Sequence, residues 1–231
     1  MSKYKVLFFD ADGTLYDFER TEKYALRKTF EDFSLNYSEE KLLPVFKKVN
    51  LTIWKEFERN EISADELKPE RFRRFFKEIN LTGIDEKKFG LKYLENLSEN
   101  NELLPGAKEL IEELHGKFKL AIITNGLTLV QRKRLYDSVL TKYWDAIIIS
   151  EEVGATKPNK EIFEIAMKKV NCEDKAKALM IGDKLTSDIL GGISFGIDTC
   201  WVNFEKKQNN SEIKPTYEIN KLYQLKKILF D

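Results

Sequence analysis

Asp10 and Asp12 stand two residues apart in Asp10-Ala11-Asp12-Gly13-Thr14, directly after an apolar run from Val6 to Phe9. Side chains at that spacing leave a strand on the same side, so the two carboxylates are expected near each other. Like charges that close repel, and either a shared proton or a cation relieves the repulsion. A third acid, Asp183, ends another apolar run in Gly182-Asp183 and makes a hard, oxygen-liganded cation the better choice. Magnesium fits best, because it takes few protein carboxylates and keeps places for waters and a substrate phosphate. Asp188, near the start of the following helix, is read either as a helix-terminal acid or as an outer-shell metal residue, the second being favoured.

Two further apolar runs lead to polar groups. One ends in Thr124-Asn125-Gly126, and the other leads through Ser150 and Glu151 to Lys157. Thr124 and the backbone N–H groups of Asn125 and Gly126 are candidates to hold phosphate oxygens, with Lys157 neutralising charge on a transferring group. Each signal is weak alone. An Asp-x-Asp-Gly-Thr stretch is also a turn sequence, and a threonine at a strand end is an ordinary β-former. Together, at strand ends expected to meet in one crevice, they indicate a catalytic site, with Gly13 allowing a sharp turn beside a bound anion. The one histidine, His115, lies in a helical stretch away from these ends, which argues against Ser-His-Asp or Cys-His chemistry. No Gly-x-x-x-x-Gly-Lys-Thr sequence occurs, which argues against a P-loop nucleotide triphosphatase.

The elements that would position these residues are legible as runs. Val6 to Phe9, Leu120 to Ile123, Ala146 to Ile149 and Ala178 to Ile181 are nearly all apolar, and Ile197 to Val202 extends the series. Unbroken apolarity, in place of alternation, is the pattern of strands covered by helices on both faces of a parallel sheet. Helical periodicity at Ala107 to Leu114, Leu129 to Tyr136, Ile162 to Val170 and Ile189 to Phe195 alternates with those runs. The expected fold class is therefore α/β, a doubly wound, Rossmann-like parallel sheet whose ligands lie beyond the carboxyl ends of the strands.

From about Phe18 to Asn101 no strand pattern occurs, and an inserted all-helical module is expected there. The expected domains are a core of residues 1–17 and 102–231 and a helical insertion of residues 18–101. Ser63 and Glu66 have capping-box spacing, and Pro44 and Gly83 mark breaks or kinks. Arg71, Arg73, Arg74 and Lys77, interleaved with Phe72, Phe75 and Phe76, read as a solvated face beside a packed one. Leu222 to Leu229 is expected to form a closing helix.

Lys and Arg balance Asp and Glu at 39 each, so no overall field draws the chain to nucleic acid or to an anionic membrane. No segment approaches the length of a membrane span, and the N-terminal apolar stretch is too short for a secretory signal. Cys172 and Cys200 match no metal-ligand spacing and read as reduced filler. The expected compartment is the cytoplasm, and the expected assembly is a monomer or a small homo-oligomer.

In Asp10-Ala11-Asp12-Gly13-Thr14-Leu15, Thr124-Asn125-Gly126, Lys157-Pro158 and Gly182-Asp183 with Asp188, the chain resembles the haloacid dehalogenase-like hydrolase superfamily. The motifs occur in order, and the helical insertion stands where this superfamily carries a cap domain. The resemblance implies that Asp10 attacks phosphorus to form an aspartyl-phosphate, and that Asp12 is general acid to the leaving oxygen and then base toward water. It implies magnesium bound through the Asp10 side chain, the Asp12 backbone carbonyl and the Asp183 side chain. The stretch Ile181 to Gly192, continuing to Trp201, is similar to the 5′-nucleotidase branch, whose most similar members are pyrimidine nucleotidases active on noncanonical nucleoside monophosphates. A small phosphorylated metabolite, a nucleoside monophosphate, is therefore the expected partner. The alternatives are a phosphosugar or phosphoglycolate-type phosphatase or a phosphomutase; less favoured are a haloacid dehalogenase, against which Asp12 speaks, and a non-hydrolytic phospho-acceptor domain.

Overall fold

Val6–Phe9 (β1), Lys119–Thr124 (β2), Ala146–Ile149 (β3), Ala178–Gly182 (β4), Asp198–Val202 (β5) and Tyr217–Ile219 (β6) form one sheet in the order β3-β2-β1-β4-β5-β6, with every neighbouring pair parallel. The computed structural model describes residues 2–59 and 61–230. Ten helices are described: Phe18–Asp32 (α1), Glu39–Glu58 (α2), Ala64–Glu78 (α3), Glu86–Ser98 (α4), Ala107–Leu114 (α5), Thr128–Tyr136 (α6), Ser150–Val153 (α7), Lys160–Lys169 (α8), Leu190–Phe195 (α9) and Leu225–Phe230 (α10). The fold is the doubly wound α/β class expected from the apolar runs, and the runs fall on β1 to β5. β6, three residues long, has no counterpart among them.

The chain divides into two compact units, one of Met1–Asp17, Glu102–Thr128 and Leu135–Asp231, the other of Phe18–Asn101 with Leu129–Arg134. In the first, alternate strand residues serve opposite faces of the sheet. Leu7 and Phe9 of β1 join Leu120, Ile122, Leu179 and Ile181 in a core completed by Leu110, Ile111 and Leu114 of α5 and by Leu225 and Leu229. Val6 and Phe8 join Ala121, Ile123 and Met180 in a second core with Ile162, Phe163, Ala166 and Met167 of α8. Burial on both faces is why these strands lack a polar alternation. The chain leaves and re-enters this unit through paired segments, with Leu104 N–H donating to Leu15 O at 2.8 Å and Asp17 N–H to Glu102 O at 2.9 Å.

The second unit is wholly helical among the described residues. Its interior is aromatic, with ring centroids 5.7 Å apart for Phe46–Phe72, 5.0 Å for Phe72–Phe89 and 5.4 Å for Phe30–Phe89. The Ser63–Glu66 capping box starts α3, and Gly83, at φ +80°, turns the chain between α3 and α4. Of the break or kink expected at Pro44, the break does not occur, because α2 runs through it from Glu39 to Glu58, giving up one backbone hydrogen bond. One expectation fails here. Arg71 does not lie on the solvated face but is 1% exposed, donating to Asn50 Oδ1 at 3.1 Å and lying over the Phe72 and Tyr93 rings at 5.3 and 5.0 Å. Asn50 in turn donates to the buried Glu22 carboxylate at 2.6 Å, so a polar group bridges the buried cation and acid. Arg74 stays near the surface, held by Glu56 and Glu70. No described helix is long and apolar enough to cross a membrane, and both cysteines are free.

Candidate active site

The strand order reverses between β1 and β4: β2 and β3 follow on one side of β1, and β4, β5 and β6 on the other, and sheets of this kind take their ligands beyond the carboxyl ends of the strands at such a point. Asp10 follows β1 and Asp183 follows β4. The Asp10 N–H continues the ladder by donating to Ile181 O at 2.9 Å, which sets Asp10 level with the end of β4. The residue is 7% exposed, and its carboxylate takes a 2.6 Å hydrogen bond from Lys157 Nζ. The same ammonium donates to Ile123 O at 2.7 Å and lies 2.7 Å from Asp188 Oδ1. Carboxylate oxygens of Asp10, Asp183 and Asp188 lie within 4.8 Å of one another.

Local sequence explains this convergence. Gly182 ends β4 where a Cβ would meet Asp188 Cγ at 2.4 Å, so only glycine lets that carboxylate press against the strand end. Asp188 sits in a π-helical turn, Leu185–Ile189, and its Oδ2 accepts the Lys184 N–H at 3.0 Å. Gly13 has φ +86°, and a Cβ there would stand 2.6 Å from Asp183 Oδ2. The loop from Asp10 is closed by Gly13 N–H donating to Tyr16 O at 3.0 Å and Tyr16 N–H to Ala11 O at 3.0 Å.

The structure gathers Asp10, Asp183, Asp188 and Lys157 but departs from one sequence expectation. Asp12 does not join the carboxylate group, because β1 ends at Phe9 and the chain curls at Ala11, so the alternation that would put Asp12 beside Asp10 no longer applies. Its half-buried residue lies instead in the loop, bridged to Tyr16. Asp188, read from the sequence as an outer-shell residue, brings a carboxylate oxygen within 4.8 Å of those of Asp10 and Asp183. Thr124 ends β2, and its Oγ1 accepts the Gly126 N–H at 3.1 Å. The Asn125 side chain faces the Lys157 main chain. His115 is exposed at the end of α5, before β2 begins, and takes no part.

Two supporting contacts escaped the sequence reading, although both residues lie in motifs named there. Trp201 Nε1 donates to the Asp183 carbonyl at 2.9 Å, and Glu151 Oε2 accepts the Thr128 N–H at 2.6 Å at the start of α6. A nearly buried tryptophan at the end of an apolar run signals that its N–H needs an acceptor, but not which one.

Burial pushes the Asp10 carboxyl up to about 8; Lys157 opposes the rise, and Asp188 and Asp183 add to it. Burial likewise raises Asp183 to about 6, with Asp188 adding to it and Lys184 and Lys157 opposing. For Lys157 burial works downward, but the facing Asp10 and Asp188 charges outweigh it and hold the ammonium above the ordinary lysine value. Three carboxylates facing one ammonium leave two negative charges uncompensated when ionised, the charge of one divalent cation. The acids offer oxygen alone, which suits a hard cation, and Gly13 keeps the approach to Asp183 clear.

Comparison with known proteins identifies the family. The model of the haloacid dehalogenase-like hydrolase family matches residues 4–196. The HAD-hydrolase YfnB of Bacillus subtilis is 39% identical over 229 residues, covering 99% of this chain and 97% of that protein. The pyrimidine 5′-nucleotidase YjjG of Escherichia coli is 34% identical, covering 98% of each chain, and the pyrimidine 5′-nucleotidase PynA of Streptococcus pneumoniae is 34% identical, covering 94% of this chain and 91% of that one. The crystal structure of YfnB bound to magnesium, described as revealing interdomain movement, superimposes with a TM-score of 0.92 over 99% of both chains. Sequence, fold and the convergent acids thus lead to one conclusion: the chain is an enzyme belonging to the haloacid dehalogenase-like hydrolase family.

Proposed function

We propose that the protein is a magnesium-dependent phosphomonoester hydrolase that works through an aspartyl-phosphate on Asp10, and that it acts as a 5′-nucleotidase on pyrimidine or noncanonical nucleoside monophosphates. The observation that carries the reading is the Asp10 carboxylate, nearly buried at the switch point and met by Lys157 and by two further acids. Asp10 and Asp183 would hold the ion, with the Asp12 carbonyl, and Asp188 stands close enough to support it. When bound, magnesium supplies positive charge that offsets the phosphate's own.

Asp10 attacks phosphorus and the phosphorus–oxygen ester bond breaks, while Asp12 gives its proton to the departing oxygen. Asp12, now a carboxylate, takes a proton from water as that water attacks phosphorus. The bond to Asp10 then breaks, inorganic phosphate leaves and both acids return to their starting states. Lys157 and the Thr124 loop orient the phosphoryl oxygens. The nucleotide preference draws support from YjjG and PynA, both named pyrimidine 5′-nucleotidases and alike over nearly the whole chain. The helical insertion of residues 18–101 belongs to this reading as a moving cap with hinges near Tyr16 to Phe18 and near Leu103. Limited proteolysis checks that motion: phosphate analogues should change cleavage there, and identical digests with and without them count against a moving cap.

Phosphate release is measured across nucleoside monophosphates, phosphosugars and phosphoglycolate, with and without magnesium. Nucleoside monophosphates should turn over fastest, only with the ion, and Asp10→Asn should release no phosphate while remaining folded. Release by Asp10→Asn at the parent rate removes the nucleophile. A preference for phosphosugars transfers the substrate to that class, and a phospho-form that persists without release makes the protein a phosphate acceptor.

A further inference from the structure

We infer that Asn125 is a positioning residue for Lys157, its side-chain amide clamping the Lys157 main chain so that the ammonium is held between Asp10 and Asp188. The inference rests on the phosphoryl-transfer reading of the site. Asn125 Nδ2 donates to Lys157 O at 2.8 Å, and Asn125 Oδ1 accepts the Lys157 N–H at 2.8 Å. This reciprocal pair is what two residues exchange across an antiparallel ladder, here made by one side chain. Lys157 needs such a partner because it lies between α7 and α8, outside the sheet.

The clamp is tied to the same strand end that holds the other extremity of the lysine. Ile123, two residues before Asn125, accepts from Lys157 Nζ at 2.7 Å. The end of β2 therefore grips Lys157 twice, by its main chain through Asn125 and by its ammonium through Ile123 O. Fixing both ends of a flexible four-carbon stem selects one conformer, and that conformer puts Nζ 2.6 Å from Asp10 Oδ1 and 2.7 Å from Asp188 Oδ1. Asparagine suits the task because its amide joins a donor and an acceptor in one plane. Aspartate lacks the donor.

A double-mutant cycle separates this role from direct contact between Asn125 and the phosphate. Asn125→Ala should lower kcat and kcat/KM together by about 10²-fold, the scale of a small misplacement of a catalytic group. In a Lys157→Ala background the same change should have almost no further effect, because its target is gone. Equal losses in both backgrounds overturn the inference and assign Asn125 to the phosphate. A readout free of activity is the 1H–15N signal of the Lys157 ammonium, identified by its disappearance in Lys157→Ala. Asn125→Ala should broaden or abolish it, and an unchanged signal overturns the clamp. If Asn125→Ala does not fold, Asn125→Asp, which keeps the size and the acceptor but loses the donor to Lys157 O, takes its place in both measurements. Should the parent enzyme hydrolyse no phosphomonoester, the ammonium signal alone decides the clamp, and the failure belongs to the function proposed for the site.

Discussion

Asp183 shows how burial and like charge act on a single group. Its carboxyl is raised from an ordinary 3.8 to about 6. Stability contributed by such a group is present below its ordinary value and is lost as pH rises through about 6. Asp183→Asn abolishes that titration, so without added metal the variant should melt higher than the parent at pH 7.5, and the gap should shrink toward pH 4. A gap independent of pH, measured by thermal unfolding, contradicts the sign. Asp12 is not one of the three grouped acids, and its proposed part is proton transfer. Asp12→Asn should reduce turnover by about 10² to 10⁴-fold and alter the pH–rate profile. Unchanged turnover with an unchanged profile excludes Asp12 from proton transfer. The meeting of Asp10 with Asp183 was legible from the strand ends, but the place of Asp12 was not, because β1 stops at Phe9 and the side-to-side alternation stops with it.

At the scale of elements, strands and caps follow local rules that a sequence displays. The Ser63–Glu66 box is one: Ser63 Oγ accepts the Glu66 N–H at 3.2 Å, and Glu66 Oε2 accepts the Ser63 N–H at 2.8 Å. Ser63→Ala should destabilise the protein by about 1 kcal/mol, measured by denaturant unfolding. A change near zero means that α3 does not rely on its cap. Other elements answer to their neighbours. The periodicity of α3 cannot reveal that Arg71 turns inward, because Asn50 on α2 and Tyr93 on α4 supply its surroundings. The π-helical turn at Leu185–Ile189 is likewise set by contact, since it delivers Asp188 against Gly182. β6 is too short to carry a pattern and is placed by pairing with β5.

For the whole molecule, the strand order makes a switch point of the gap between β1 and β4, and the proposed ion is a ligand of the native state alone. Binding of that kind stabilises by about 2.7 kcal/mol at a hundred-fold excess over Kd. For 231 residues this corresponds to a rise in Tm on the order of 5–10 °C. Magnesium should therefore raise the melting temperature of the parent, and chelator should reverse the rise. Asp183→Asn should lose most of the response, and a variant that still responds in full places the ion elsewhere. The helical unit is not one continuous stretch, since it also takes in Leu129–Arg134, where Arg134 Nε donates to Asn100 O at 2.8 Å.

By itself the sequence determined the α/β class, a run of helices after β1 and five of the strands, because each is written in local apolar patterning, and it named the acids and the lysine as candidates from the residues that follow those strands. Only the tertiary structure decided that Asp188 and not Asp12 completes the group of carboxylates, that Asn125 faces the Lys157 main chain, that Trp201 serves the Asp183 carbonyl and that Arg71 is buried. Those outcomes join residues far apart in the chain, and a buried polar group takes whatever partner the packing brings, which no local spacing encodes.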